Sequence, residues 1–190
     1  MSTRVAVIWD SPLLFTRIVE ECGHTCELVT PHLLAAPFFR KQFHGIIIPA
    51  GFASPGHTTI LTALRAIRSR IKRYAEEGGT ILAFGAGYEC TDAYDWLPVD
   101  VRYSFGFSQS PLMRDRSHPS SAIIGDDQDI LSYDGILEGC GGQVILTAPQ
   151  GPVMLSFSYR NGRITVISLH EYPSQRFISE FCRGGGEGLL

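Results

Sequence analysis

The chain has 190 residues, 44% hydrophobic, 11% aromatic and 18% charged, a composition that excludes disorder and suits one domain with a sizeable core. A formal net charge of -3 carries no footprint for nucleic acid or an anionic membrane, and neither is expected as a partner. Five cysteines at irregular spacing (Cys22, Cys26, Cys90, Cys140 and Cys182) are not a disulfide framework.

Val5–Trp9 is an apolar run ending in Asp10-Ser-Pro12, a buried strand leading into a helix start. No secretory leader is read before it. The longest apolar runs fall far short of the roughly 20 residues of a membrane span, so a cytoplasmic setting with reduced thiols is expected. Leu13–Cys22 carries a helical repeat that stops at Gly23, and Cys26–Thr30 is a second strand closed by Pro31. Gly45–Pro49 is a third strand, apolar on both faces as parallel strands tend to be. Thr58–Glu77 is the longest helical pattern, with Ile60, Leu61, Leu64, Ile67, Ile71 and Tyr74 on one face. The basic residues between Arg65 and Arg73 read as its solvated side. Thr80–Phe84 is a fourth buried strand, with a short helix expected over Tyr88–Tyr94.

From Val99 to Ser121 the chain turns polar and reads as a long irregular excursion. Three strand-like runs follow: Gln143–Ala148, Val153–Tyr159 and Ile164–Leu169. The last two are joined through Asn161-Gly162, a strong hairpin signal. Ser174–Cys182 reads as a closing helix. Residues 184–190 are expected to be a frayed, flexible Gly-rich tail after a single domain over residues 1–183. Strands alternating with helices predict an α/β, flavodoxin-like, doubly wound and mostly parallel sheet. Val5–Trp9, Gly45–Pro49 and Thr80–Phe84 should be neighbours in it.

In open parallel sheets ligands bind beyond the carboxyl ends of the strands. Those ends are Asp10, the Pro49-Ala50-Gly51 turn, the segment Gly85-Ala86-Gly87-Tyr88-Glu89-Cys90 and the pair His170-Glu171. Three of the segments together resemble the class I glutamine amidotransferase superfamily. Gly45-Ile-Ile-Ile-Pro-Ala-Gly51 is similar to the family strand whose Pro-Gly-Gly turn contributes oxyanion-hole amides. Gly78-Gly-Thr-Ile-Leu-Ala-Phe-Gly-Ala-Gly87 is similar to its strand and nucleophile elbow, Gly-x-Cys-x-Gly. Gly162-Arg-Ile-Thr-Val-Ile-Ser-Leu-His170 is similar to the late strand carrying the catalytic histidine. The closest flavour is the small amidotransferase-like domain associated with biotin–protein ligases, whose elbow leads into a turn like Gly87-Tyr88. The resemblance runs from about Arg4 to Cys182.

The departures decide the expected chemistry. The family pattern puts Gly85 at the nucleophile's place, and a register shifted by two puts Gly87 there. A glycine cannot form the thioester. Cys90, five residues beyond Gly85 on the expected helix, would be turned by about 140° and displaced by roughly 7 Å. It reads better as a half-buried hydrophobe. The family's orienting acid lies two residues after the histidine, where this chain has Tyr172; Glu171 sits beside His170 instead.

Tyr88, Glu89, Asp92, Tyr94, Asp95 and Trp96 should crowd the mouth of the cleft. Cys22-Gly-His24-Thr-Cys26 has soft-ligand residues but lacks a second ligand pair, and Gly85-Ala-Gly87 lacks full phosphate-loop spacing. No metal or cofactor is therefore expected.

The leading expectation is a degenerate amidotransferase-like domain that has lost glutaminase activity. It would bind a small polar molecule or a partner protein through Ala50, Gly51, Ala86, Gly87, Tyr88 and Glu89. The resemblance supplies precedent, since the wider fold includes non-catalytic modules in some glycoside hydrolases. The alternative is a hydrolase or transferase with His170 as acid/base and Glu89, Glu171 or Cys90 as its partner. A third reading, as a component of a larger assembly or a homo-oligomer, stays open.

Overall fold

The computed structural model describes residues 2–125 and 130–190. The chain opens with strand β1 (Arg4–Ile8), helix α1 (Leu14–Glu21) and strand β2 (Thr25–Val29). Next come α2 (Pro31–Ala35), β3 (Gln42–Phe43), β4 (Gly45–Ile48), α3 (Ile60–Ala66), α4 (Arg68–Glu76) and β5 (Thr80–Ala83). The second half contains β6 (Val101–Ser110), β7 (Met113–Arg114), a 3-10 turn (Pro119–Ile123), β8 (Leu131–Gly139), β9 (Gln143–Ala148) and β10 (Gly151–Tyr159). It closes with β11 (Gly162–Ile167), α5 (Gln175–Arg183) and β12 (Gly188–Leu189).

Eight strands form one sheet in the order β2-β1-β4-β5-β11-β10-β9-β7. The run from β2 to β11 is parallel and the remainder antiparallel. The expected doubly wound sheet is present, with β1, β4 and β5 adjacent. Val5–Ile8, Gly45–Ile48 and Thr80–Ala83 are buried throughout because helices or long connections cover both faces. Each such Ile or Leu contributes about 2 kcal/mol of burial, which makes these strands the rigid floor of the site. Among the described residues no helix is long and apolar enough to cross a membrane.

Several expectations are corrected. The long helix is two, α3 and α4, parted at Ile67 (φ -106, ψ 14); nothing in the local contacts explains the break. The basic stretch is not merely solvated. Arg70 donates to the carbonyls of Leu34, Ala36 and Phe39 at 3.1–3.3 Å and so closes the end of α2 and its loop. Arg65 pairs with Asp92 and Asp95 at 3.0 and 2.8 Å. No helix forms over Tyr88–Tyr94; the segment runs as consecutive turns pinned by Arg65 and by the Tyr94 hydroxyl on the Phe84 carbonyl (2.7 Å).

The hairpin before β11 turns on Arg160-Asn161, with Arg160 left-handed (φ 53) and Tyr159 facing Gly162. Gly162 is already strand, and any side chain there would overlap the Ala75 and Gly79 carbonyls. The tail is not frayed: β12 pairs with β3, and Leu190 is 1% exposed. Most consequential, the supposed irregular excursion contains β6, which pairs antiparallel with β8 as a long ribbon. That ribbon reaches the carboxyl edge of the main sheet through the bridge Tyr133–Leu169.

Candidate functional site

Where β5 ends, Phe84 still donates to the Ile48 carbonyl (2.9 Å), and the chain then crosses the edge of the sheet beside the β4 turn. Gly51 donates to the Gly85 carbonyl (2.8 Å) and Ala53 to the Ala86 carbonyl (3.2 Å), so the two turns are laced together. Gly51 and Gly87 are left-handed (φ 89 and 66), whereas Gly85 is not. Gly85, at the place of the family's nucleophile, therefore has an ordinary backbone, and the Gly51 amide is not left free for an oxyanion as the family turn implies. That amide is consumed by Gly85, and the strained residue is Gly87, whose Cα side lies against Gly51. A Cβ at Gly87 would stand 2.7 Å from the Gly51 Cα.

The space above Gly85 is not empty. A Cβ built on Gly85 would overlap all three atoms of the Asp134 carboxyl group. Asp134 projects from β8, a strand that sequence pattern does not reveal, and is 2% exposed. Its backbone is fixed from both sides. Its amide donates to the Ser168 carbonyl (3.0 Å), and its carbonyl accepts from the Tyr103 hydroxyl (2.8 Å). One carboxylate oxygen, Oδ2, accepts from the Gly87 amide at 3.1 Å and lies 3.6 Å from His170 Nε2. The other, Oδ1, is buried with no hydrogen-bond partner among the described residues. Such an oxygen costs free energy unless a charge or donor compensates it, and the imidazole of His170 is the basic side chain beside this carboxylate. Gly135 follows because a side chain there would strike the Tyr103 ring.

His170 comes to this edge on the segment after β11, held by its amide to the Ser132 carbonyl (3.0 Å). Its side chain is 41% exposed and meets Phe107 of β6 edge-on at 5.6 Å. The Asp134 carboxylate, helped by Glu171, raises the His170 pKa above its ordinary value, against the opposing effect of partial burial. Glu171 does not bend back to the imidazole. Its Oε1 accepts from the Ser132 amide at 2.7 Å, and its Oε2 is buried without a partner among the described residues. Tyr172 packs edge-on against Phe15.

The other anticipated residues separate into two groups. Tyr88 and Glu89 are exposed on the turn beyond Gly87, and Ala50 is half-buried beside Gly51. Tyr94 and Trp96 do not crowd a mouth; both are core, stacked edge-on around Phe52. Cys90 is not on a helix, and its partners among the described residues are Asp92 and Arg65 rather than His170. Its thiol donates to Asp92 (3.2 Å), and burial first, then Asp92, pushes its pKa up. Cys26 and Cys182 are pushed up to about 12, chiefly by burial. His24 Nδ1 faces the Thr3 hydroxyl at 2.7 Å. Alkylation followed by mass spectrometry should therefore modify exposed Cys140 first and leave Cys26 and Cys182 untouched in the folded protein. Cys90 labelling faster than Cys140 would reveal activation that this geometry lacks.

No family model and no curated protein sequence matches the chain. Solved structures do. A candidate GMP synthase component from Thermoplasma acidophilum superposes with a TM-score of 0.63 at 13% identity, covering 97% of this chain and 94% of that one. A ThuA-like protein from Bacteroides uniformis gives 0.51 at 12% identity, covering 95% and 89%. The β-galactosidase from Bacillus circulans gives 0.54 at 12% identity over 93% of this chain but only 30% of its own length. The fold is thus α/β and amidotransferase-like, a mostly parallel sheet with flanking helices. At these identities the likeness speaks for the fold alone. Within this amidotransferase-like fold, the turn after β5, the turn after β4 and His170 converge as the sequence suggests. Asp134, which stands between them, comes from the inserted ribbon.

Asp134 escapes a reading of the sequence because the β8 segment, Leu131-Ser-Tyr-Asp-Gly-Ile-Leu137, follows the polar excursion and places a carboxylate and a glycine mid-strand. Its signal is the alternation of Leu131, Tyr133 and Leu137, all on one face and all buried.

Proposed function

We propose that this domain does not hydrolyse glutamine and instead binds a small polar ligand at the carboxyl edge of the sheet, beside His170. One observation carries the reading: a buried carboxylate fills the volume that a side chain at position 85 would need. In the amidotransferase pattern that position holds the nucleophile, and here neither a thiol nor space for one is available. The Gly51 amide, which the pattern would turn toward an oxyanion, is bonded to Gly85. What the edge does offer is a half-exposed imidazole backed by a carboxylate, with Phe107 edge-on beside it and Tyr88 and Tyr172 exposed on the adjoining segments. Such a group favours a ligand carrying an acceptor or negative charge with a flat or apolar part.

The test has two arms. Ammonia release from glutamine should stay at the level of a heat-killed control and be indifferent to thiol alkylation. A screen of small carboxylates, sugars and nucleosides by thermal shift should give at least one hit that perturbs the His170 imidazole resonances. Thiol-dependent ammonia release would overturn the reading, and a hit only with protein partners would favour an interaction module.

The Asp134–His170 pair also supports a second reading, an acid/base enzyme in which Asp134 takes the partner's role that the sequence offers to Glu89, Glu171 or Cys90. Both readings share one expected titration. The His170 pKa should lie above about 6.5, and Asp134→Asn should return it toward that ordinary value. The stability that the pair contributes is fully present below the unfolded-state pKa and is lost as pH rises through the folded one. Asp134→Asn should therefore cost more stability at about pH 5 to 6 than at about pH 8, on either side of the histidine range. Equal cost at both ends would mean that the pair is not charged.

A further inference from the structure

A second concavity lies at the opposite, amino edge of the sheet, remote from Gly85 and His170. It is a cavity of about 340 Å³ between the first residues of β5 and β11, the 3-10 turn and the last two turns of α5. Its walls are apolar, formed by Ile81 and by Phe177 and Phe181, whose rings stack at 6.2 Å. Of the three hydroxyl side chains that line it, that of Thr80 donates to the His44 carbonyl (2.9 Å); the other two, Ser120 and Thr165, belong to residues 4% and 2% exposed. Neither hydroxyl makes a side-chain hydrogen bond among the described residues. Two guanidiniums, half-buried Arg163 and exposed Arg183, stand at its mouth. Among the described residues no carboxylate lies within ion-pair distance of either. The one acidic group in the lining, Glu180, is taken by Arg176 at 3.3 Å.

Hydroxyls without a protein partner and a half-buried guanidinium without a carboxylate are free to bond a ligand that enters the cavity. Apolar walls with a few convergent polar groups, at the lower end of the usual volume range of roughly 300–1,000 Å³, describe a small-molecule site. We infer that this cavity binds a small amphipathic carboxylate, its hydrocarbon or aromatic body between Ile81 and the Phe177–Phe181 pair. The carboxylate faces Arg163 and Arg183, with Ser120 and Thr165 donating to it or to a polar substituent. The inference does not depend on what the His170 edge does.

Calorimetry and NMR on the full chain test it with benzoate and hexanoate as probes and benzamide and hexanamide as neutral counterparts. Both acids should bind with millimolar affinity or better, shifting the amides around Thr165 and Phe177 and leaving the His170 imidazole unmoved. The neutral amides, and the acids on Arg163→Met, should bind about tenfold more weakly, the worth of one charge-assisted hydrogen bond. Ser120→Phe should fill the cavity and abolish binding; if that variant does not fold, Arg183→Met provides the second reading at the mouth. No binding at millimolar acid, equal binding of acid and amide, or shifts confined to the His170 edge would each overturn the assignment.

Discussion

Gly85→Cys alone is expected to lower the stability of the domain by about 3 kcal/mol, at the upper end of overpacking costs. Adding Asp134→Ala to the same chain should recover most of that loss. The new Cβ would land on the Asp134 carboxyl group, which cannot retreat. Its backbone is tied to Ser168 and Tyr103 and its Oδ2 to the Gly87 amide. Truncating Asp134 removes the obstacle, and two changes that share one volume should couple strongly and favourably. In the double variant the sulfur would lie where the carboxylate stood, beside His170, and an adjacent imidazole depresses a thiol's pKa. Urea denaturation of the two single variants and the double one gives the coupling. Alkylation rate against pH compares the new thiol with Cys90. A Gly85→Cys chain as stable as the parent would mean that Asp134 does not occupy this space.

Gly87→Ala should be nearly as costly, about 3 kcal/mol, for a different reason. A left-handed backbone costs an L-residue on the order of 1 kcal/mol, and overpacking adds a similar or larger amount. Here the residue sits at φ 66 and its Cβ would press on the Gly51 Cα at 2.7 Å. The neighbour is backbone and cannot rotate away. Relief requires the two turns to part, which would draw the Gly87 amide from Asp134. The variant should therefore lose stability in denaturant titrations and also shift the His170 titration. A loss of stability with the His170 titration unchanged would show that the lacing of the turns and the charge pair are independent.

The parts of the fold legible in the sequence are those decided by local pattern. Val5–Ile8, Gly45–Ile48 and Thr80–Ala83 are uninterrupted apolar runs, which only a sheet covered on both faces buries, and their adjacency follows from that. The convergence of Gly51, Gly85–Gly87 and His170 follows from their common position at carboxyl ends. What escapes is set by distant contacts. β6 carries Arg102, Ser104 and Gln109 on its open side, so its composition reads as loop until β8 supplies the partner. The helix expected at Tyr88–Tyr94 loses to tertiary contacts, with Tyr94 drawn into the core and Asp92 and Asp95 held by Arg65. The Gly-rich tail stays ordered because β3 offers an edge and Glu77 receives the Leu189 amide at 2.9 Å. Asp134 is the costliest omission, since a carboxylate mid-strand contradicts strand propensity unless the partner that needs it is already known.

The shared volume above Gly85 also constrains the order in which this sequence could change. A thiol elbow lies two substitutions away, and the two routes to it are not equivalent. Cysteine first passes through a chain with a side chain and a buried carboxylate in one place. Aspartate first passes through a chain that has lost a charge partner for a half-exposed histidine and gained a small void, while also shedding an unpaired buried oxygen. Only the second path runs over ground a marginally stable domain can cross. Position 85 is thus locked by a residue 49 places further along the chain, and the lock opens from the β8 side alone.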